Sequence, residues 1–420
     1  MITLVVAGSR IWLGALLIAA VTAAPATVVA AGFRTAVAVG GTTALSLYAV
    51  GGTITVFVTV TALIVLGSVA RLTVTLQGRS YALWQLVGIR PGLVRLVVTA
   101  QLLLVAVAGA AIGCAATVPV LGVLFRSALD LERPLLGPVA AGSVIVFVAA
   151  VVLLGGGRSA GRAAHTPPIQ TLREPELPER GMTAGRWVTA AATAAVLAAV
   201  LASLPGTADD RLGVPLMLLG PLAAGLLAAL GPLVLTRLLR AWTALVPARV
   251  SVAWWLARET TAFHAGRSTA TISPLMVAIA LAGGLWSASG GSVTPATVIL
   301  LLGGPLLLAV LGAATTIFMA SRSRDHEHAL LAAAGATPAV ILGAAACEAI
   351  IYAGTALLLG LACVTVTAVA GALAAGHAPA FGLGAVLSVT GTGLLLTLAA
   401  TVLPTAAALR QDVPRTLAAE

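Results

Sequence analysis

Long apolar runs alternate along this chain with short polar segments, and the length of the runs sets the first expectation. A helix that crosses a bilayer needs about 20 mostly apolar residues. Ten stretches meet that length, near 12–31, 50–70, 93–124, 136–156, 187–204, 214–235, 270–288, 297–320, 339–373 and 382–403. The pattern predicts an all-α membrane protein of about ten transmembrane helices. The runs that begin at 93 and 339 exceed 30 residues, so those two helices tilt or project beyond the hydrocarbon.

Composition agrees: 60% of residues are hydrophobic and 9% charged, against about a quarter charged in soluble domains. Mean hydropathy is +1.10. All 23 basic residues are Arg, and their placement orients the chain, because inner loops carry the positive excess. With the N-terminus inside, Arg34, Arg126, Arg133 and Arg211 fall outside and every other Arg falls inside. The net charge of +10 therefore reads as topology; a nucleic-acid partner is not expected, since no basic stripe is interleaved with aromatics. No polar, small-residue cleavage site follows the first run, so it is expected to be a retained span. Cys114, Cys347 and Cys363 lie in apolar runs without metal-ligand spacing and read as small buried hydrophobes.

The segment between the second and third runs is written twice. Arg79 to Val94 returns 247 residues later as His326 to Ile341, with Ala82/Ala329, Leu83/Leu330, Gly88/Gly335 and Pro91/Pro338 identical in register. Each copy sits inside a four-span unit. The expected organisation is a first unit over 1–156, a connector over 157–186, two intervening spans over 187–235, an interfacial segment over 236–269 and a second unit over 270–420. Six spans separate equivalent positions, so these are two parallel four-helix repeats. The connector contains Pro167, Pro168, Pro175 and Pro178 and should be extended. In 236–269, Arg237, Arg240, Arg249, Arg258 and Arg267 flank Trp242, Trp254 and Trp255, a mixture that suits a helix along the inner leaflet or an anchoring flank. The outer loops, about 32–49, 125–135, 205–213, 289–296 and 374–381, are too short for a domain.

Within the first copy, Leu83, Leu86 and Val87 recur at helical spacing beside Trp84. Gly88 suits a left-handed helix stop and Pro91 the first turn of the next helix. Leu330, Leu331, Ala333, Ala334, Gly335 and Thr337-Pro338 repeat the design. Each copy reads as helix, stop, new helix: an elbow joined to a long span, able to transmit motion.

These elbows with their Gly-x-x-Pro exits, the long third spans and the endings Pro168 to Leu172 and Pro414 to Leu417 resemble the FtsX/MacB-type permease domain of ABC transporters. Ala257-Arg258-Glu259 through Arg267-Ser268-Thr269-Ala270 is similar to the basic segment that opens that domain. Two such domains with two spans between them resemble the ten-span layout of bacitracin-resistance-type permeases. The resemblance covers about two thirds of the chain and implies a type VII ABC fold in a bacterial inner membrane, with both termini cytoplasmic. It further implies that the elbows dock on two copies of a separate ATPase. The residues expected at that contact are Tyr81, Leu83, Trp84, Leu86, Val87, Gly88 and Pro91, then His328, Leu330, Leu331, Ala334, Gly335 and Pro338. The large extracytoplasmic domain common in relatives is missing; only Trp286 to Thr297 fills one of its places.

The chain has no Lys and so cannot supply the G-x-x-x-x-G-K-[ST] loop that holds nucleotide phosphates. No cofactor is expected in this chain, and ATP and Mg are expected on the partner. An ion-coupled transporter would need ionisable groups deep in the membrane, and only Glu348 qualifies, with Gln101 at the equivalent place. A transmission device that moves no substrate would use the same levers. Intramembrane catalysis finds no paired Asp, no HExxH and no defensible Ser/His set; His326 and His328, beside Asp325 and Glu327, point to different helix faces.

Overall fold

A computed structural model describes residues 9–129, 136–165, 182–205, 212–247, 249, 251–288, 295–321, 325–376 and 379–409. Among these residues every regular element is a helix. The first half contains α1 (Ser9–Val39), α2 (Gly41–Leu76), α3 (Gly78–Leu86), α4 (Pro91–Leu129) and α5 (Pro138–His165). The middle contains α6 (Ala184–Ser203), α7 (Gly213–Ala229), α8 (Gly231–Thr243) and α9 (Val252–Phe263). The second half contains α10 (Ala265–Ala288), α11 (Pro295–Ser321), α12 (Asp325–Ala333), α13 (Pro338–Ala375) and α14 (Leu383–Ala408). Nine of these helices are long and apolar enough to cross a membrane, ten if the bent pair α7–α8 counts as one crossing. The chain is thus an all-α, multi-pass membrane protein.

The polar groups inside the spans are mostly threonines that satisfy themselves. Thr22 donates to the Ile18 carbonyl at 2.7 Å, Thr27 to Ala23 at 2.7 Å and Thr73 to Val69 at 2.8 Å, each one turn back along its own helix. A buried hydroxyl bonded this way needs no partner across the interface. Small residues then let helices approach: a Cβ on Gly113 of α4 would overlap the carbonyl oxygen of Ala20 on α1. In the second half Gly360 of α13 meets Met276 and Ile279 of α10 at the corresponding place. Close approach at small residues is how membrane helices gain packing energy without a hydrophobic drive.

The packing has the same plan in both halves. α1 lies against α2, α4 and α5, and α10 against α11, α13 and α14; α5 also packs on α2 and α4, as α14 does on α11 and α13. The halves meet along α2 and α11, flanked by α1 against α11 and α10 against α2. The plan breaks at α7, which packs on α10, α13 and α2. With α7 in place, α10 is buried at every position from Ser268 to Leu285, whereas Leu13 and Leu17 of α1 remain exposed.

Three boundaries differ from the pattern reading. The expected outer loop 32–49 is helical: α1 and α2 run on and turn at Gly40 and Gly41, whose φ values of 68° and 65° suit residues without a Cβ. Phe33 and Tyr48 stack across this hairpin at 5.9 Å. Secondly, the apolar run 214–235 does not form one straight span, because α7 ends at Ala229 and α8 leaves it at 87°. Lastly, α5 continues to His165, into the expected connector. The rest of that connector's proline-rich part, 166–181, and both repeat endings lie outside the described residues.

Candidate functional site

The two elbows have the same backbone. In the first, the Val87 amide bonds the Leu83 carbonyl, Gly88 bonds Gln85 at 3.0 Å and Ile89 bonds Trp84 at 3.0 Å. In the second, Ala334 bonds Leu330, Gly335 bonds Ala332 at 3.0 Å and Ala336 bonds Leu331 at 3.0 Å. This pair of closing bonds caps the last carbonyls of a helix and requires a left-handed residue after it. Gly88 at φ 95° and Gly335 at φ 93° supply it. Pro91 and Pro338 then open α4 and α13, as the sequence predicted.

The side chains divide each elbow into an inner and an outer face. Leu83, Leu86 and Val87 are exposed, Val87 at 85%, and so is Leu330 in the second elbow. Gly88, Pro91, Ala334, Gly335 and Pro338 are exposed as well, while Trp84 and Leu331 are half-buried. Both α3 and α12 fall outside the candidate spans, so these apolar groups are not obliged to face lipid. The side chain of His328 is outside the described set.

Tyr81 does not belong on the outer face. It is only 1% exposed and turns inward, donating its hydroxyl to Gln77 with Gln101 of α4 at 3.5 Å. Its ring meets Trp84 edge-on at 5.4 Å. Burial pushes its hydroxyl far above the usual tyrosine range, so the group stays a donor. Tyr81 is therefore withdrawn from the docking residues: it is a pin that holds α3 to the α2–α3 junction and to α4. Gln77, missed in the sequence, stands one helical turn before Tyr81, a polar pair whose spacing was visible.

That contact also fixes the depth of Gln101, which lies beside an elbow residue. Glu348 follows Pro338 by the same ten residues as Gln101 follows Pro91, about 15 Å along the helix. It is 3% exposed and accepts the hydroxyl of Tyr352, one turn further along α13. Arg322 and Arg324 lie outside the described residues. The second elbow has its own tie: Glu327 of α12 reaches His264, between α9 and α10, at 3.7 Å. The Nδ1 atom of His264 lies 3.2 Å from the Thr260 carbonyl. Nothing in the spacing of His264 and Glu327 announced this pairing, because the two belong to different elements.

Cys114 and Cys363 are buried and Cys347 is half-buried, all as free thiols. Among the described residues no group of three or more His, Cys, Asp or Glu could hold a metal ion. The class defined by fold and elbows is a multi-pass helical membrane protein with two matched helix–stop–helix corners. Compared with known proteins, the chain matches no family model, no curated protein and no solved structure.

Proposed function

We propose that this chain is the permease subunit of an FtsX/MacB-type ABC exporter of the bacterial inner membrane, a duplicated four-span machine driven through its two elbows. The carrying observation is the elbow pair: the same closing bonds and positive-φ glycines, 247 residues apart, with apolar side chains exposed outside the spans. With α7–α8 counted as one crossing, six spans separate the elbows, an even number that leaves both at one end of the bundle, on the cytoplasmic side with both termini. Two separate ATPase subunits, carrying ATP and Mg, dock there, one per elbow.

Nucleotide binding draws the ATPases together and displaces both elbows. Because each elbow ends in a fixed corner rather than a loose loop, the displacement passes into α4 and α13. The first corner is stiffened by Tyr81, whose hydroxyl ties it to the spans. Short outer segments leave no soluble capture domain, so the substrate is an amphiphile, an antibiotic, peptide or lipid, taken laterally from the bilayer.

The test is a Leu83→Asp/Leu330→Asp double variant of the full chain, co-expressed with an ABC ATPase subunit from the same cell that the parent chain retains on purification. Both positions lie outside the spans, so insertion is expected to be normal. Recovery of the ATPase on the purified permease should fall about tenfold or more, as for loss of buried interface anchors. Unchanged recovery would overturn the docking surface.

A further inference from the structure

The α8–α9 arm belongs to neither elbow and does not continue a straight span. α8 leaves α7 at 87°, nearly perpendicular to the helix that packs on α10, α13 and α2. It does so at the elbow end, since α9 leads to His264, which meets Glu327 of α12. One face of α8, with Gly231, Leu235, Leu239 and Thr243, is buried. Arg237 and Arg240 are exposed, and so is Arg249 in the turn that follows. From Gly213 to Arg258 the chain contains no Asp or Glu. Yet the same arm exposes large apolar groups: Leu245 at 81%, Phe263 at 83%, and also Val252 and Trp255.

Cations and apolar side chains side by side on an arm that turns away from α7 at the elbow end match one environment, the boundary between headgroups and acyl chains. We propose that the α8–α9 arm is a docking site for anionic phospholipid, with Arg237, Arg240 and Arg249 on the headgroup phosphates and the exposed Leu, Val, Trp and Phe side chains among the acyl chains. A free phosphate would meet the charges but leave the apolar groups in water, and so would an acidic peptide. The arm also bears on the machinery. Trp242 of α8 donates to Thr355 of α13 at 2.9 Å, its ring meets Trp254 of α9 at 6.2 Å, and α9 packs along α13. The first half of the chain has no such arm among the described residues, so lipid occupancy acts on the second elbow and α13 alone.

The test needs no ATPase and is independent of the proposed transport role. The full chain is placed in nanodiscs of phosphatidylcholine with phosphatidylglycerol, and retained lipids are counted by native mass spectrometry. R237Q/R240Q/R249Q should lower the preference for phosphatidylglycerol about tenfold or more, since each surface cation contributes to anionic-lipid attraction. R237K/R240K/R249K should restore most of it. A charge-matched control, R90Q/R95Q/R186Q, should keep the preference. An equal loss in the control, or no loss in the first variant, would overturn the site. Displacement of the bound lipid by inorganic phosphate, or loss of a co-purifying protein with lipid preference intact, would overturn it too.

Discussion

Tyr81 and Gly113 set how firmly the helices of the first half are joined. Removing the Tyr81 hydroxyl leaves the Gln77 acceptor buried without that donor, and an unmet buried acceptor costs about 1–3 kcal/mol. Tyr81→Phe should therefore lower the melting temperature of the detergent-solubilised protein, with hydrogen exchange rising first in 78–90. If protection there is unchanged, the pin is not what holds the corner. Gly113 acts through space: a Cβ would overlap the Ala20 carbonyl oxygen, and overpacking typically costs about 1–3 kcal/mol. Gly113→Ala should destabilise the protein, while Gly122→Ala, where a Cβ meets nothing within 4 Å, should not. Sequence alone could place Tyr81 on the elbow but could not say that it faces inward. Its neighbours at helical spacing mix polar Gln77 and Gln85 with Trp84, so neither direction was favoured, and Gln101, which also faces it, belongs to another helix.

An elbow is legible where a run is broken by residues with fixed backbone consequences. Gly88 and Gly335, each three residues before a Pro, announced stop and restart, and the corners fall where those residues stand. The same chemistry was present but overlooked at Gly231-Pro232. The apolar run continues through that dipeptide, and hydropathy cannot see a change of direction. The Gly40–Gly41 turn was obscured in the opposite way, since polar Thr and Ser around it suggested a loop although the helices continue on both sides. The corner glycines can be tested directly. At φ 95° and 93° any Cβ is strained, by roughly 1–2 kcal/mol, although space is open around both. Gly88→Ala and Gly335→Ala should speed hydrogen exchange at the Ile89 and Ala336 amides without affecting the spans. Equal exchange in variant and parent would mean that the corner tolerates a side chain and is not fixed by its glycine.

On the scale of the whole molecule, the two halves share a packing plan but not an environment. α7 encloses α10, and α8–α9 braces only the second elbow, so a common force on both corners meets unequal resistance. This arrangement has meaning only if both corners and the arm face the same compartment. The proposed lever needs it, with α7–α8 counted as one crossing, and by the positive-inside rule the expected compartment is the cytoplasm. In a background with Cys114, Cys347 and Cys363 replaced, single cysteines at Val87, Arg249 and Leu330 should resist a membrane-impermeant maleimide in intact cells and react after lysis. A cysteine at Val39, exposed near the Gly40 turn at the opposite end, should react in intact cells. If the three inner positions label from outside while Val39 does not, the chain is inverted, and ATPase subunits could not reach either elbow. If Val87 and Leu330 fall on opposite sides, the halves are antiparallel and the duplicated-lever mechanism fails at its first requirement.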